Sequence, residues 1–482
     1  MLPYSYHTFL LPFRLDKPVK PHVEGWERTT VTAHRILSEG EAFRRDYAVY
    51  RYFTPEARSL LFDSDQPDKV DRKYDYRLQL PPDPRYVIRK TLREYGETGP
   101  RDTQVTYTLQ VTEVRLLLLS NGIGLLSVAA ENREHPDLTA IKHINEYGRR
   151  IMPPYLSPEA PHALLADGIS LLGVTADMVA LQQRLLAGTQ SPEDAILDPI
   201  RLLIERFVGK DNPITPVIDD RMFVCCLVRS DALSGQLAAG TLDDETLYSV
   251  GFVDAQDASC RHEGMRQALL ERCVNRRWQG YGTVDVITHH SLVRLTGEAD
   301  YLEGAVITPF LTQYVQLAAG GLLQRAAIMT FSDRCAHLSR SISQRLSRGK
   351  RIGKEDKRLI EQLNADFVDA QSGIFLTQLT AQEQGVETFD ILRQELYIPG
   401  TLENLKNRLQ GLYDLTGIYT EQEENGLLNL IAWLGIPVAA AEIAFGVYAE
   451  LFTVTPWGTV LALLAGMAAG GLLYSLRFFR RK

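Results

Sequence analysis

Glu442 is an acid inside an almost unbroken apolar run, Gly426–Tyr448, "GLLNLIAWLGIPVAAAEIAFGVY". An ionisable group is costly in hydrocarbon, so it normally faces a bundle interior or water. Three roles fit it: a cation ligand, an acid at a subunit interface, or a side chain snorkelling to a membrane surface. Asn425 and Asn429 stand four residues apart at the start of the run, and Ile436, Ile443 and Val447 continue roughly along their face. That series reads as polar rings followed by an apolar constriction able to gate by dewetting. Glu442 flanks this face rather than centring on it. Just before the run, Glu421, Glu423 and Glu424 would become rings of acids in an oligomer and raise the local cation concentration.

Other residue groupings offer less. Asp219 and Asp220 could hold a metal, but adjacent carboxylates without further ligands at useful spacing read more simply as a turn paired with Arg221. His289 and His290 read as strand-end residues pointing to opposite faces. Cys225, Cys226, Cys260, Cys273 and Cys335 form no CxxC pair or zinc spacing and read as reduced core thiols. The basic stretch holding Arg345, Arg348, Lys350, Arg351 and Lys354 does not satisfy GxxxxGK[ST]. It reads as a solvated turn between helices, or as a site for an anionic ligand or lipid headgroups. No nucleophile elbow, HExxH, Walker motif or dinucleotide fingerprint occurs, so no enzymatic activity is expected. No cofactor is expected either; a divalent cation enters only as a transported or regulatory ion, and no resident metal site is assigned.

The elements that must position these residues begin with the membrane segment. A helix needs about 20 apolar residues to cross the hydrocarbon core, and a second run, Trp457–Leu476, follows the first. The link 449–456 lacks Lys and Arg, whereas Arg477, Arg480, Arg481 and Lys482 follow the second run directly. The positive-inside rule puts that tail in the cytoplasm. Two crossings return the upstream chain to the same side, which agrees with an N-terminal stretch that lacks a signal-peptide pattern. The expectation is a two-pass protein of the cell inner (plasma) membrane with both termini cytoplasmic. Tyr448, Trp457 and Tyr474 suit an aromatic belt, and Gly466 with Gly470 forms a small-xxx-small pair that allows close helix approach.

Upstream, 52 Lys and Arg against 60 Asp and Glu in 482 residues argue against a nucleic-acid partner. The fold class expected is an α+β cytosolic domain, then long stalk helices, then two C-terminal transmembrane helices. Residues 1–300 form the cytosolic region, with a subdomain boundary near 150–160, residues 301–425 the stalk, and 426–482 the membrane part with its basic tail. "TQVTYTLQVTEVRLLLLSNGIGLLSVAAEN" reads as a hairpin turning at Asn121-Gly122, and "PVIDDRMFVCCLV" as a strand entered through an acidic turn. From Tyr301 the pattern becomes helical. A second long helix is expected over Lys357–Leu396, ending near Ile398-Pro399-Gly400. Leu402, Leu405, Leu409, Leu412 and Tyr419 then fit heptad a and d positions. No proline falls between Gly400 and Pro437, so one helix is expected to run from stalk into membrane.

This architecture resembles the CorA-type divalent-cation transporter superfamily. "LIAWLGIPVAAAEIAFGVY" resembles that family's first transmembrane helix with its mid-helix Ile-Pro, and "LYSLRFFRRK" resembles its C-terminal end. "HTFLLPF", "INEYGRRI", "PVIDDRMFV", "QRAAIMTFSD" and "QEQGVETFDIL" resemble a divergent bacterial CorA-like branch. The resemblance implies a homo-oligomer, a pentamer in the family, whose first transmembrane helix lines a pore in the lipid bilayer. The family's magnesium-capturing Gly-Met-Asn is missing: its place reads Phe445-Gly446-Val447-Tyr448, with only the glycine matched. The function expected is a cation channel or transporter gated by its cytosolic domain. The alternative is a membrane-anchored sensor or effector, for instance in antiviral defence, that answers a nucleotide or other anionic signal.

Overall fold

The structure is a computed structural model describing residues 2–15, 25–28, 48–62, 73–96, 99–119, 121–151, 166–172, 198–209, 212, 214–219, 221–348, 353–451 and 455–479. Within it, the side chains of 73, 94–96, 100, 198–199, 202, 206–207, 415–438, 471 and 473–479 lie outside the described set. The fold is mixed α+β. Its strands are β1 (Ser5–Leu15), β2 (Trp26–Arg28), β3 (Lys73–Leu78), β4 (Arg85–Gly96), β5 (Gly99–Leu119), β6 (Ile123–Asn132), β7 (Gly168–Leu172), β8 (Ile214–Pro216), β9 (Phe223–Arg229), β10 (Val274–Asn275), β11 (Val284–Ile287) and β12 (Ser291–Thr296). They form one 12-stranded sheet in the order β10-β11-β12-β9-β1-β6-β5-β3-β2, with β4 joining β5 to β7 and β8 beside β1. Only β9 and β12 pair in parallel among the described strands.

The helices are α1 (Pro55–Leu61), α2 (Leu138–Gly148), α3 (Asp198–Val208), α4 (Asp231–Ala239), α5 (Asp244–Gly251), α6 (Glu263–Cys273), α7 (Val315–Ser347), α8 (Lys354–Gly373), α9 (Glu383–Glu395), α10 (Ile398–Leu451) and α11 (Pro456–Phe479). Two units emerge: residues 1–334 with 365–405, and residues 335–364 with 406–482.

β1 lies at the middle of the sheet and is buried almost end to end, which explains why it reads as a continuous apolar run rather than an alternating one. Pro12 cannot donate to a ladder. It is tolerated because β1 pairs with β9 over Ser5–Leu10 and with β8 over Phe13–Leu15, so Pro12 sits where one neighbour replaces the other. The expected hairpin is present as β5 and β6, turning through Gly122 at φ +85°. Gly124 faces the buried Phe13 ring, which an added Cβ would overlap, so a side chain there would displace that ring from the core.

The helical expectation needs one correction. The helix foreseen over Lys357–Leu396 is two helices, α8 and α9. Between them Ile374, Phe375 and Leu379 turn into the core, and Thr380 bridges to Phe53 while its hydroxyl donates to Tyr52 O at 2.7 Å. Tertiary burial of this segment outweighs local helix propensity. The Ile398-Pro399-Gly400 break opens α10 rather than only ending what precedes it: Tyr397 turns the chain at φ +55°, and Pro399 lies in the first helical turn, where no N–H is needed. From there α10 runs 54 residues without a break, through Pro437. Leu405, Leu409 and Leu412 are buried along it, as the heptad pattern implies.

Candidate functional site

The C-terminal hairpin is built by residues at its turn and by glycines along its seam. Thr455 caps α11, accepting from Gly458 N at 3.3 Å, with Pro456 at the first helical position. Tyr448 on α10 reaches across the turn to Thr455 Oγ1 at 3.1 Å, and its ring leaves no space for a Cβ on Gly458. Deeper in, Gly466 lies against Ala440 and Ala441; a Cβ at 466 would meet Ala440 O and Ala441 Cα, each at 2.5 Å. Gly466, Gly470 and Ala441 are buried, so small residues let the two backbones approach.

Ala441 marks the side of α10 that faces α11. Steps of about 100° per residue put Glu442, Ile443, Gly446 and Val447 between about 100° and 240° away from it. All four are exposed, Ile443 to 68%. Glu442 and Gly446 form one flank of this open face and Ile443 with Val447 the other; Phe445 is half-buried. Asn425, Asn429, Ile436, Glu421, Glu423 and Glu424 are helical in α10, but their side chains lie outside the described residues, as do Arg480, Arg481 and Lys482.

On α11 and the end of α10 the apolar side chains point outward: Trp457 is 80% exposed, Leu461 65%, and Leu464, Met467, Leu472 and Leu451 are exposed as well. A length-and-composition criterion for crossing a membrane, applied to the described residues, picks a different stretch, Glu303–Ser347, of mean hydropathy 1.2. The most apolar 18-residue window of that stretch is 61% buried, so its apolar face is occupied by protein. Pro456–Gly470 appears as a shorter apolar helix.

In the basic segment at the end of α7, one arginine has a carboxylate partner. Arg345 donates to Asp356 at 2.8 Å, and the same carboxylate accepts from Gly353 N at the start of α8. Arg348 and Lys354 border this turn, while Lys350 and Arg351 are outside the described residues. Asp219 pairs with Arg221 at 2.7 Å, as the turn reading requires, and Asp220 is outside the described residues. His289 and His290 depart from expectation. They occupy the bend between β11 and β12 rather than consecutive strand positions, so both rings fall on one side with centroids 3.6 Å apart. Burial and the neighbouring histidine push His290 well below the usual imidazole range. No three His, Cys, Asp or Glu side chains are grouped for a metal among the described residues.

Three polar networks escaped local sequence reading because their members are far apart in the chain. His7 Nδ1 lies 2.7 Å from Asn145 Oδ1, Ser5 Oγ lies 2.8 Å from His7 Nε2, and Asn132 Nδ2 donates to Ser5 Oγ at 3.0 Å. The amide at one end and the carboxamide oxygen at the other fix the direction: Ser5 donates to Nε2, and Nδ1–H donates to Asn145. Burial pushes His7 down to about 4, so the ring is neutral. This serine, histidine and asparagine chain is sealed in the core, where it ties β1, β6 and α2 together. Nearby Cys226 is pushed up to about 12 by burial, which keeps it a thiol.

The other two networks tie the start of the helical region to the sheet. Arg294 on β12 pairs with Asp285 directly opposite on β11, at 2.6 and 2.7 Å. Its guanidinium lies under Tyr314, 4.1 Å from the ring centroid, and Phe310. Both rings belong to the second of two π-helical turns, Glu303–Ile307 and Phe310–Tyr314, which re-aim side chains that a regular helix would place elsewhere. Arg115 on β5 grips Asp75 with two bonds and reaches Gln316 Oε1 on α7 at 2.7 Å.

With this geometry in hand, comparison with known proteins adds no assignment: no protein-family model matches the chain, and no curated protein matches it.

Proposed function

We propose that the chain is a CorA-like membrane protein whose α10–α11 hairpin crosses the inner membrane twice. In this reading a homo-oligomer, a pentamer by resemblance, lines a cation pathway with α10, and the sheet-bearing unit is the cytosolic gate. The observation that carries the reading is the outward apolar surface of the hairpin. Burying one such side chain is worth about 1.5–3 kcal/mol relative to water, so the row from Ile443 to Leu451 and from Trp457 to Leu472 needs lipid or neighbouring copies over it. Glu442 sits on the same open face, where a second copy or a water-filled axis would relieve its cost. The outer end of α10 reads Phe445-Gly446-Val447-Tyr448, so magnesium selectivity is not part of the proposal.

The work done is electrostatic funnelling by the acids at 421, 423 and 424 and passage of partly hydrated ions, without covalent chemistry. Flux into proteoliposomes, measured for several divalent and monovalent ions, tests it. The expected outcome is cation flux that Glu442→Gln lowers more for divalent than for monovalent ions. Absence of flux for every ion, with and without added ligands, would sink the channel and leave the membrane-anchored sensor as the surviving reading.

A further inference from the structure

A cleft of about 260 Å³ opens in the sheet-bearing unit among the end of β1, the residues around β8, α7 and the first turn of α10. Two arginines, Arg14 and Arg325, and one carboxylate, Asp333, line it, so the lining carries a net positive charge. Arg14 donates to Asp333 at 2.8 Å, but Asp333 is 72% exposed, and an ion pair so open to water is weak and readily exchanged.

Arg325 is half-buried, and its hydrogen bond goes to a neutral hydroxyl, Thr401 Oγ1, at 2.9 Å. A guanidinium carries five N–H donors, and among the described residues no carboxylate pairs with this one. Burial lowers its pKa, opposed only by the phenol of Tyr397. Such a cation has lost hydration without gaining an anion. The contrast with Arg115 and Arg294 is direct: those two are fully buried, each with a bidentate aspartate. Met329, backed by the buried Ile328, supplies an apolar surface next to Arg325, and Thr215 adds a hydroxyl on the β8 side.

We propose that this cleft binds a small organic phosphate, its phosphoryl group held by Arg325 and Arg14 and its body resting on Met329. Arginine's planar fork matches phosphate oxygens in pairs, and exchange of the exposed Asp333 for a phosphoryl dianion gives Arg14 a more strongly charged partner. At about 260 Å³, below the roughly 300–1,000 Å³ of pockets for drug-sized ligands, the cleft suits a compact phosphate ester rather than an oligonucleotide. The site belongs to the sheet-bearing unit alone and stands whether or not the hairpin conducts ions.

The test is isothermal titration of the full chain in detergent with inorganic phosphate, pyrophosphate and adenosine 5′-monophosphate, with neutral adenosine as reference. Saturable binding of the phosphates with one site per chain is expected, and none of adenosine. Arg325→Gln should weaken binding about tenfold or more, as expected for loss of a charge-assisted contact. Arg14→Gln, which removes only a surface pair, should fold normally and weaken binding too. Arg345→Gln, on the basic turn, should leave it unchanged. No saturable binding of any phosphate probe, or equal affinity in a folded Arg325→Gln or Arg14→Gln variant, would overturn the site.

Discussion

The helix that α7 forms with its π-helical lead-in and the hairpin of α10 and α11 carry apolar runs of similar character and place them in opposite surroundings. On α7, Leu317, Leu322, Leu323, Ile328 and Phe331 are buried, and Gly320 and Gly321 press against Leu379 and Leu392. On the hairpin the described residues that are buried along the seam are small, Ala441, Gly466 and Gly470, and the large apolar side chains face out. A core helix buries its bulk and uses glycine where a neighbour's side chain intrudes. The hairpin uses glycine so that backbones touch, and offers its bulk to something outside the chain. Hydropathy and length alone do not separate the two cases, since the buried stretch passes that test; the direction in which large and small residues point does.

Truncating one leucine in each region gives the largest expected difference. Leu323→Ala opens a cavity in a packed interior and should cost about 2–5 kcal/mol. Leu464→Ala, on the exposed side of α11, should cost less than about 1 kcal/mol. Chemical denaturation of both variants in the same detergent, followed by circular dichroism, reads the gap. Equal costs would mean that the hairpin's outer face is packed in protein as tightly as α7.

Acid should act on the sheet-bearing unit and spare the hairpin. His7 is held at about 4 in the folded chain, against about 6.5 for an ordinary imidazole. Between those values the unfolded chain binds the proton that the folded chain refuses, so stability falls as pH drops from about 6.5 towards 4 and levels off below. For one group this amounts to roughly 3 kcal/mol, from about 1.4 kcal/mol per pKa unit. Burial lowers His143 and His290 too, so the loss is shared. His7→Asn should remove about one proton's worth of the slope in this window. A pH profile of stability unchanged by that substitution would show that the His7 chain does not close the core as described.

These two experiments probe features that differ in how readily sequence shows them. The β5–β6 hairpin, the β9 strand and the unbroken α10 announce themselves through Asn-Gly, β-branched runs and heptads, because turn chemistry and periodicity are local. The split between α8 and α9 does not, since Thr380 leaves the helix for a partner on Phe53, a residue more than 300 positions earlier. Distance hides the cleft in the same way: Arg14, Thr215, Arg325 and Thr401 share no local pattern and are assembled by β1, β8, α7 and α10. The basic turn was visible in sequence for the opposite reason, as a run of neighbours, yet Asp356 answers Arg345 within it.

The smallest of the three effects tests the seam that makes the hairpin different from α7. A side chain at 466 would drive into Ala440 O and Ala441 Cα, and overpacking of this kind typically costs about 1–3 kcal/mol. Ala469 is exposed on α11, so adding the same bulk there meets no backbone. Gly466→Leu should therefore lower the thermal midpoint in detergent, and Ala469→Leu should leave it in place. If both substitutions were equally harmless, close backbone approach would not be what orders the hairpin. The outward display of Ile443, Val447, Leu461 and Leu464 would then lose the constraint that aims it, and the contrast with α7 would rest on side-chain exposure alone.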